Sequence, residues 1–233
     1  MDKTCANIDE AVADIPDRAS VAIGGFFTAG TPFQLIRALA RSKAKELTII
    51  IMAFGPGNED INQLVLQGKV KKAICNYPFY RSATRGAKSP FEQAVRAGNV
   101  DVEVYPMGTF IEKLRAGGAG LAAFYTPTGV GTVVEKDKEK RAFNGHEYLL
   151  ELALKPDYAL VHAWNGDRMG NLICRKTARN FAPEIAAAAR ITIAQVEELK
   201  EPGELDPDKI HIPGIYVQRV VEVGRLNYIP TIE

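Results

Sequence analysis

In the stretch VAIGGFFTAGTP, residues 21–32, three apolar residues run into Gly24 and Gly25, two phenylalanines follow, and Gly30 and Pro32 close the segment. Reversing a chain needs one glycine, so backbone this bare on both sides of Phe26 and Phe27 suggests chemistry. Backbone N–H groups between a strand and a following helix sit at the positive end of the helix dipole. There they can meet a carboxylate, a phosphate or the partial negative charge of a thioester oxygen. A plain structural turn accounts for the same glycines equally well. Two phosphate-binding loops fail on spacing. The glycines run G-G-x-x-x-x-G rather than G-x-G-x-x-G, the second apolar run ends in Met52-Ala53-Phe54 without an acidic residue, and no Gly-Lys-Ser/Thr follows.

The other chemically able residues are dispersed. Cys5, Cys75 and Cys174 are odd in number and lack C-x-x-C spacing, which favours reduced thiols over a disulfide framework or a zinc site. His146, His162 and His211 form no local ligand pair, so no metal is expected.

The bulk numbers set the frame for these residues. The chain has 233 residues, 46% hydrophobic and 24% charged, enough for one α/β domain over residues 1–233. With 29 Lys+Arg against 28 Asp+Glu the net charge is +1, so no global field draws nucleic acid or an anionic membrane, and an anionic ligand must be held locally. The opening MDKTCANIDEAVADI is acidic and amphipathic, and no apolar run has membrane-spanning length, so the reading is cytoplasmic.

Ile8, Val12 and Ile15 recur at helical spacing, residues 19–23 read as a strand, and Thr31 and Pro32 are placed to cap and begin a helix. LTIIIMAF, ended by Gly55-Pro56-Gly57, reads as a strand covered on both faces. Strands KKAICNY, VDVEVYP, DYALVHAW and ITIAQVEEL alternate with helices SPFEQAVRAG, GTFIEKLRAGGAG and APEIAAAARI, and HIPGIYVQRVV gives a final extended segment. EKDKEKR, residues 135–141, reads as a solvated hairpin tip or loop. The alternation predicts an α/β fold with a mostly parallel sheet sandwiched by helices, open and doubly wound.

The pattern Gly-Gly-Phe, three residues, Gly, one residue, Pro resembles that of the A (alpha) subunit of family I coenzyme A transferases. RAGGAGLAAFYTPTGVGTVVE, FNGHEYLLE, DRMGNLICRKTARNF and DKIHIPGIYVQRVV resemble, in the same order, segments of the succinyl-CoA:3-oxoacid and acetate/acetoacetate types. The resemblance implies a ping-pong exchange between an acyl-CoA and a small carboxylic acid, through a glutamate nucleophile on a separate beta subunit. It implies an α2β2 assembly and coenzyme A as substrate, with no tightly bound cofactor. No catalytic nucleophile is then expected on this chain, which ends at Glu233. Carried over by position, the CoA-associated loop is Gly24, Gly25, Phe26, Phe27, Thr28, Ala29 and Gly30.

Several positions depart from the family pattern. Where 3-oxoacid transferases have Pro-Gln-Gly-Thr, with the glutamine amide on the thioester oxyanion, this chain has PMGT and Met107. A thioether donates no hydrogen bond, and an unreplaced oxyanion donor costs about 3 to 4 kcal/mol of transition-state stabilisation. Either backbone donors replace it or the substrate has changed. Phe54, Tyr77, Phe79 and Tyr80 add aromatic bulk near the expected acyl pocket, and Arg18 stands where glycine or asparagine is usual. Arg168, Asn171, Arg179 and Asn180 either position a substrate carboxylate or tie loops together.

Overall fold

The computed structural model describes residues 1–54, 59–79, 86 and 88–225. Gly55, Pro56, Gly57, Tyr80 and Glu233, named above, lie outside them. Asn7 caps α1 (Ile8–Val12) by accepting from the Glu10 amide. Strand β1 (Ser20–Ile23) then leads through the glycine turn into α2 (Phe33–Arg41). The alternation continues with β2 (Leu47–Ala53), α3 (Glu59–Leu66), β3 (Val70–Tyr77), α4 (Pro90–Arg96) and β4 (Asp101–Val104). Next come α5 (Met107–Gly118), β5 (Ala123–Thr126), β6 (Lys140–Phe143) and β7 (His146–Leu152). The chain then forms β8 (Tyr158–Asp167), β9 (Leu172–Ile173), α6 (Ala182–Ala188), β10 (Ile191–Lys200) and β11 (Arg219–Glu222).

The main sheet has the order β11-β10-β8-β1-β2-β3-β4, parallel at every step, with β9 folded back antiparallel on β8. The chain winds outward from β1 to β4, returns to the centre as β8, and winds outward again on the other side. Winding reverses between β1 and β8, where an open parallel sheet leaves a crevice at the carboxyl ends of its strands. The side chains alternate between two layers. Ile49 and Ile51 join the core under α1 to α4, while Ile50 joins the one under α5 and α6, which explains the unbroken apolar run of β2. The chain thus forms the expected mostly parallel sheet flanked by helices.

One element escapes sequence reading. Residues 123–152 include a three-stranded antiparallel sheet of order β5-β7-β6. The first three residues of FYTPTGVG form the end of β5, and the EKDKEKR stretch runs into β6 at Lys140. β6 is exposed at all four residues, so it carries no alternating apolar signal. Buried Glu151 of β7 pairs with Lys113 of α5 at 3.1 Å and with Lys138, and Lys113 lies 4.3 Å over the Tyr105 ring. At the end of α5, a Cβ on Gly118 would stand 2.9 Å from Ala187 Cβ, so RAGGAG serves close packing against α6. No helix among the described residues is long and apolar enough to cross a membrane. Among the same residues, no cluster of His, Cys, Asp and Glu is arranged to hold a metal ion.

Candidate functional site

The glycine turn leaves β1 at the crevice. Gly24 stays in register with β8, its N–H donating to the Leu160 carbonyl at 2.9 Å. Phe26 and Ala29 then exchange N–H···O bonds at 2.9 and 3.1 Å across Phe27-Thr28. Phe27 adopts φ 54°, which costs a non-glycine residue about 1 to 2 kcal/mol, and Thr31 Oγ1 steadies it by donating to its carbonyl at 2.6 Å. Gly25 has φ 110°, and a Cβ there would overlap the Thr31 hydroxyl. Gly30 has φ 72°, and a Cβ there would overlap the Ala178 carbonyl oxygen and lie 2.9 Å from Asn180 Nδ2. The protein's own packing accounts for the bareness of both glycines. What the turn presents outward is its tip. Phe26 is 40% exposed, with Phe27, Thr28 and Ala29 half-buried beside it. The expected helix start shifts by one residue: Pro32, not Thr31, is the N-cap of α2, because the Thr31 hydroxyl is engaged with Phe27.

Pro32 offers no side-chain cap, so the first amides of α2 need an acceptor from elsewhere. Gln195, fully buried in β10, supplies one: the Leu35 N–H donates to its Oε1 at 3.0 Å. Gln195 Nε2 lies 3.2 Å from His162 Nδ1, and His162 Nε2 lies 3.5 Å from Glu197 Oε1. Arg175 approaches the same carboxylate oxygen at 3.7 Å and sits 5.5 Å over the Trp164 ring. Thr28, Gly30, Thr31 and Phe33 face His162, Ala178 and Glu197 across a pocket of about 160 Å³. Burial lowers the His162 pKa below its ordinary 6.5, against the pull of Glu197. Sequence reasoning leaves His162 as an isolated histidine and gives Gln195 and Glu197 no role. The available signal is a histidine inside the apolar run YALVHAW and a glutamine inside ITIAQV.

Met107 lies elsewhere on the same edge. It is the first residue of α5, beyond β4, three strand spacings or about 14 Å across the sheet from β1. Pro106 provides no side-chain cap, so the first amides of this 12-residue helix have no acceptor within it. Gly108 is exposed, with nothing within 4 Å of where a Cβ would stand. Nearby in sequence, Thr109 Oγ1 is buried without a hydrogen-bond partner, as is Asn76 Oδ1 in β3. Phe54, expected near an acyl pocket, is 1% exposed and stacks on Phe91 with centroids 3.9 Å apart, so its bulk fills the core instead. Tyr77 and Phe79 are exposed.

Three of the four undecided polar residues tie loops together. Asn180 donates to the carbonyls of Ala29 and Ala178 at 2.9 and 3.1 Å, clamping the glycine turn to the Lys176–Arg179 turn. Asn171 donates to Asp167 and accepts from the Gly214 amide, and Arg168 pairs with Glu201 and Asp2. Arg18 has φ 65°, a left-handed conformation that glycine, and to a lesser degree asparagine, adopts more readily than arginine. Burial pushes the Cys75 and Cys174 thiols up to about 12 and about 11, so neither is a ready nucleophile.

The coenzyme A transferase family profile matches residues 5–223. The chain is 44% identical over 224 residues to the A-type subunit of a 3-oxoadipate CoA-transferase from Pseudomonas putida, covering 96% of this chain and 95% of that one. It is 46% identical over 220 residues to the A-type subunit of a succinyl-CoA:3-ketoacid coenzyme A transferase from Xanthomonas campestris, covering 94% of this chain and 88% of that one. An acyl-CoA transferase structure from Escherichia coli superposes with a TM-score of 0.81 at 24% identity. That match takes in 95% of this chain but 47% of the longer polypeptide, and it speaks for the fold. With a family match across nearly its whole length and full-length relatives above 40% identity, the chain belongs to the coenzyme A transferase family as an A-type subunit.

Proposed function

We propose that this chain, acting as one domain over residues 1–233, joins a separate B-type subunit to move CoA between a short acyl-CoA and a 3-oxoacid or related carboxylate. The observation that carries the reading is the full-length likeness to A-type subunits of such enzymes. A glutamate carboxylate of the partner attacks the thioester carbonyl, giving an acyl-glutamyl anhydride and CoA thiolate. The thiolate then attacks the glutamyl carbonyl, which releases the first acid as its carboxylate and leaves an enzyme-CoA thioester. The second acid runs the same two steps in reverse. In this scheme the turn over residues 24–30 forms a fixed wall of the CoA channel, its tip held by Thr31, Asn180 and the Lys176–Arg179 turn. The uncapped start of α5 offers backbone N–H groups where the family uses a glutamine amide, so Met107 is compatible with oxyanion stabilisation. The working assembly is α2β2 in the cytoplasm.

A narrower reading takes 3-oxoadipate as the acceptor, favoured by relatives of that name at 44% and 45% identity. Co-expression with the B-type partner tests both. Succinyl-CoA and acetyl-CoA are offered to acetoacetate and to 3-oxoadipate, and thioester products are followed by chromatography. Exchange onto one of these 3-oxoacids is expected, and the preferred acceptor selects between the readings. CoA release at the same rate without acceptor would instead make the complex a hydrolase. No turnover of any thioester would leave a binding role.

A further inference from the structure

A glutamine side chain buried inside a parallel strand loses hydration that must be replaced at both of its ends. Gln195 has both replaced, by groups that dictate its orientation. The Leu35 amide can only donate, so the Gln195 carbonyl oxygen faces it at 3.0 Å and the amide nitrogen faces His162 Nδ1 at 3.2 Å. Since that nitrogen donates, Nδ1 carries no proton, and the ring proton sits on Nε2, toward Glu197 at 3.5 Å. Protonating Nδ1 would set donor against donor. Turning the amide over would only move that conflict to Leu35.

We propose that Gln195 is a positioning residue of the CoA-transfer site: it fixes the first turn of α2, and with it the Phe26–Ala29 tip, and holds His162 as the neutral Nε2–H tautomer directed at Glu197. The kinetic arm of this inference rests on the CoA-transferase reading, and the tautomer arm stands alone. The charged groups facing the ring are Glu197 on β10 and Arg175 in the segment after β9, and the neutral Cys174 thiol lies 4.0 Å from the His162 carbonyl oxygen.

Two variants separate positioning from packing. Gln195→Glu keeps shape and can accept from both Leu35 and a protonated Nδ1, so the helix cap survives while the tautomer does not. Gln195→Met keeps volume and loses both bonds. In nitrogen-15 NMR of the full chain, with His162→Asn used for assignment, wild-type His162 is expected to show a bare Nδ1 and a protonated Nε2 near neutral pH. Gln195→Glu is expected to place a proton on Nδ1. In the complex with the B-type partner, Gln195→Met is expected to lower kcat/KM for acyl-CoA about 10- to 100-fold through misplacement of the tip. Gln195→Glu should hold the KM for acyl-CoA near wild type and move the acid limb of activity to higher pH. A wild-type ring protonated on Nδ1, or a folded Gln195→Met variant with unchanged kinetics, overturns the proposal. Should Gln195→Met not fold, an unmoved Nδ1 signal and acid limb in Gln195→Glu overturn it. A wild-type complex that transfers no CoA sinks the functional reading and leaves the tautomer result intact.

Discussion

The glycine turn after β1 and the Pro106–Thr109 segment after β4 occupy equivalent places: each leaves the carboxyl end of a parallel strand and enters a helix with proline at the N-cap and no side-chain cap. They differ in what happens to the orphan amides. At α2, Gln195 reaches in from β10 and the turn is clamped on two sides by Thr31 and Asn180. At α5, the start of the helix stands at the sheet edge, with open space beside Gly108. Location at a strand end therefore makes backbone donors possible, and the neighbouring strands decide whether they are free for a ligand. The first region reads as a rigid wall, the second as a set of available donors.

Substitutions that damage one region and spare the other sharpen this contrast. The largest stability loss is expected for Glu151→Gln, which strips the counter-charge from Lys113, 4% exposed, and should cost about 3 to 5 kcal/mol in chemical unfolding. Hydrogen exchange should then rise in α5 and β7 and stay unchanged in residues 24–36. Gly30→Ala should do the converse. Its Cβ meets the Ala178 carbonyl at a φ of 72°, so a loss of about 2 to 3 kcal/mol is expected, with exchange rising around the turn and residues 176–181.

If, as proposed, the uncapped backbone donors at the start of α5 serve the oxyanion, Met107→Gln should raise kcat for 3-oxoacid exchange by less than about tenfold. A gain of a hundredfold or more would show that those amides are not in use. Folding stability should also respond weakly to His162. Burial depresses its folded pKa below 6.5, so the neutral ring contributes above about pH 6.5 and the contribution falls away as the pH drops below that value. Urea unfolding between pH 7.5 and 5 is expected to show this decline in wild type and a shallower one in Gln195→Glu. Arg18→Gly should be the smallest effect of all: it relieves a left-handed arginine whose ion pair with Glu46 is largely exposed, and the melting temperature should stay flat or rise slightly.

The parallel sheet is legible in the sequence because buried strands such as LTIIIMAF and DYALVHAW carry long apolar runs, and capped helices such as SPFEQAVRAG carry their own start signals. The glycine turn is legible as unusual backbone. Whether Gly25 and Gly30 answer to a ligand or to packing is not, because Thr31 and Ala178 are brought against them by the fold. The antiparallel sheet escapes notice because β6 is fully solvated, β5 is a half-buried strand of four residues, and β7 fully buries only Leu149 and Glu151. The Gln195–His162–Glu197 chain is hidden because its members sit on two strands and meet only across the β8–β10 pair. Phe54 is misplaced by local reading for a related reason: its neighbour Phe91 belongs to a helix that only the tertiary fold brings beside it.

The central claim is that this chain forms a wall of the site while the attacking carboxylate belongs to its partner. The direct measurement is borohydride reduction of the reconstituted complex after exposure to acyl-CoA without acceptor, followed by peptide mapping of both polypeptides. The account predicts one reduced glutamate on the B-type partner and no modification on this chain. A reduced carboxylate on this chain, or CoA exchange by this chain alone, would contradict it.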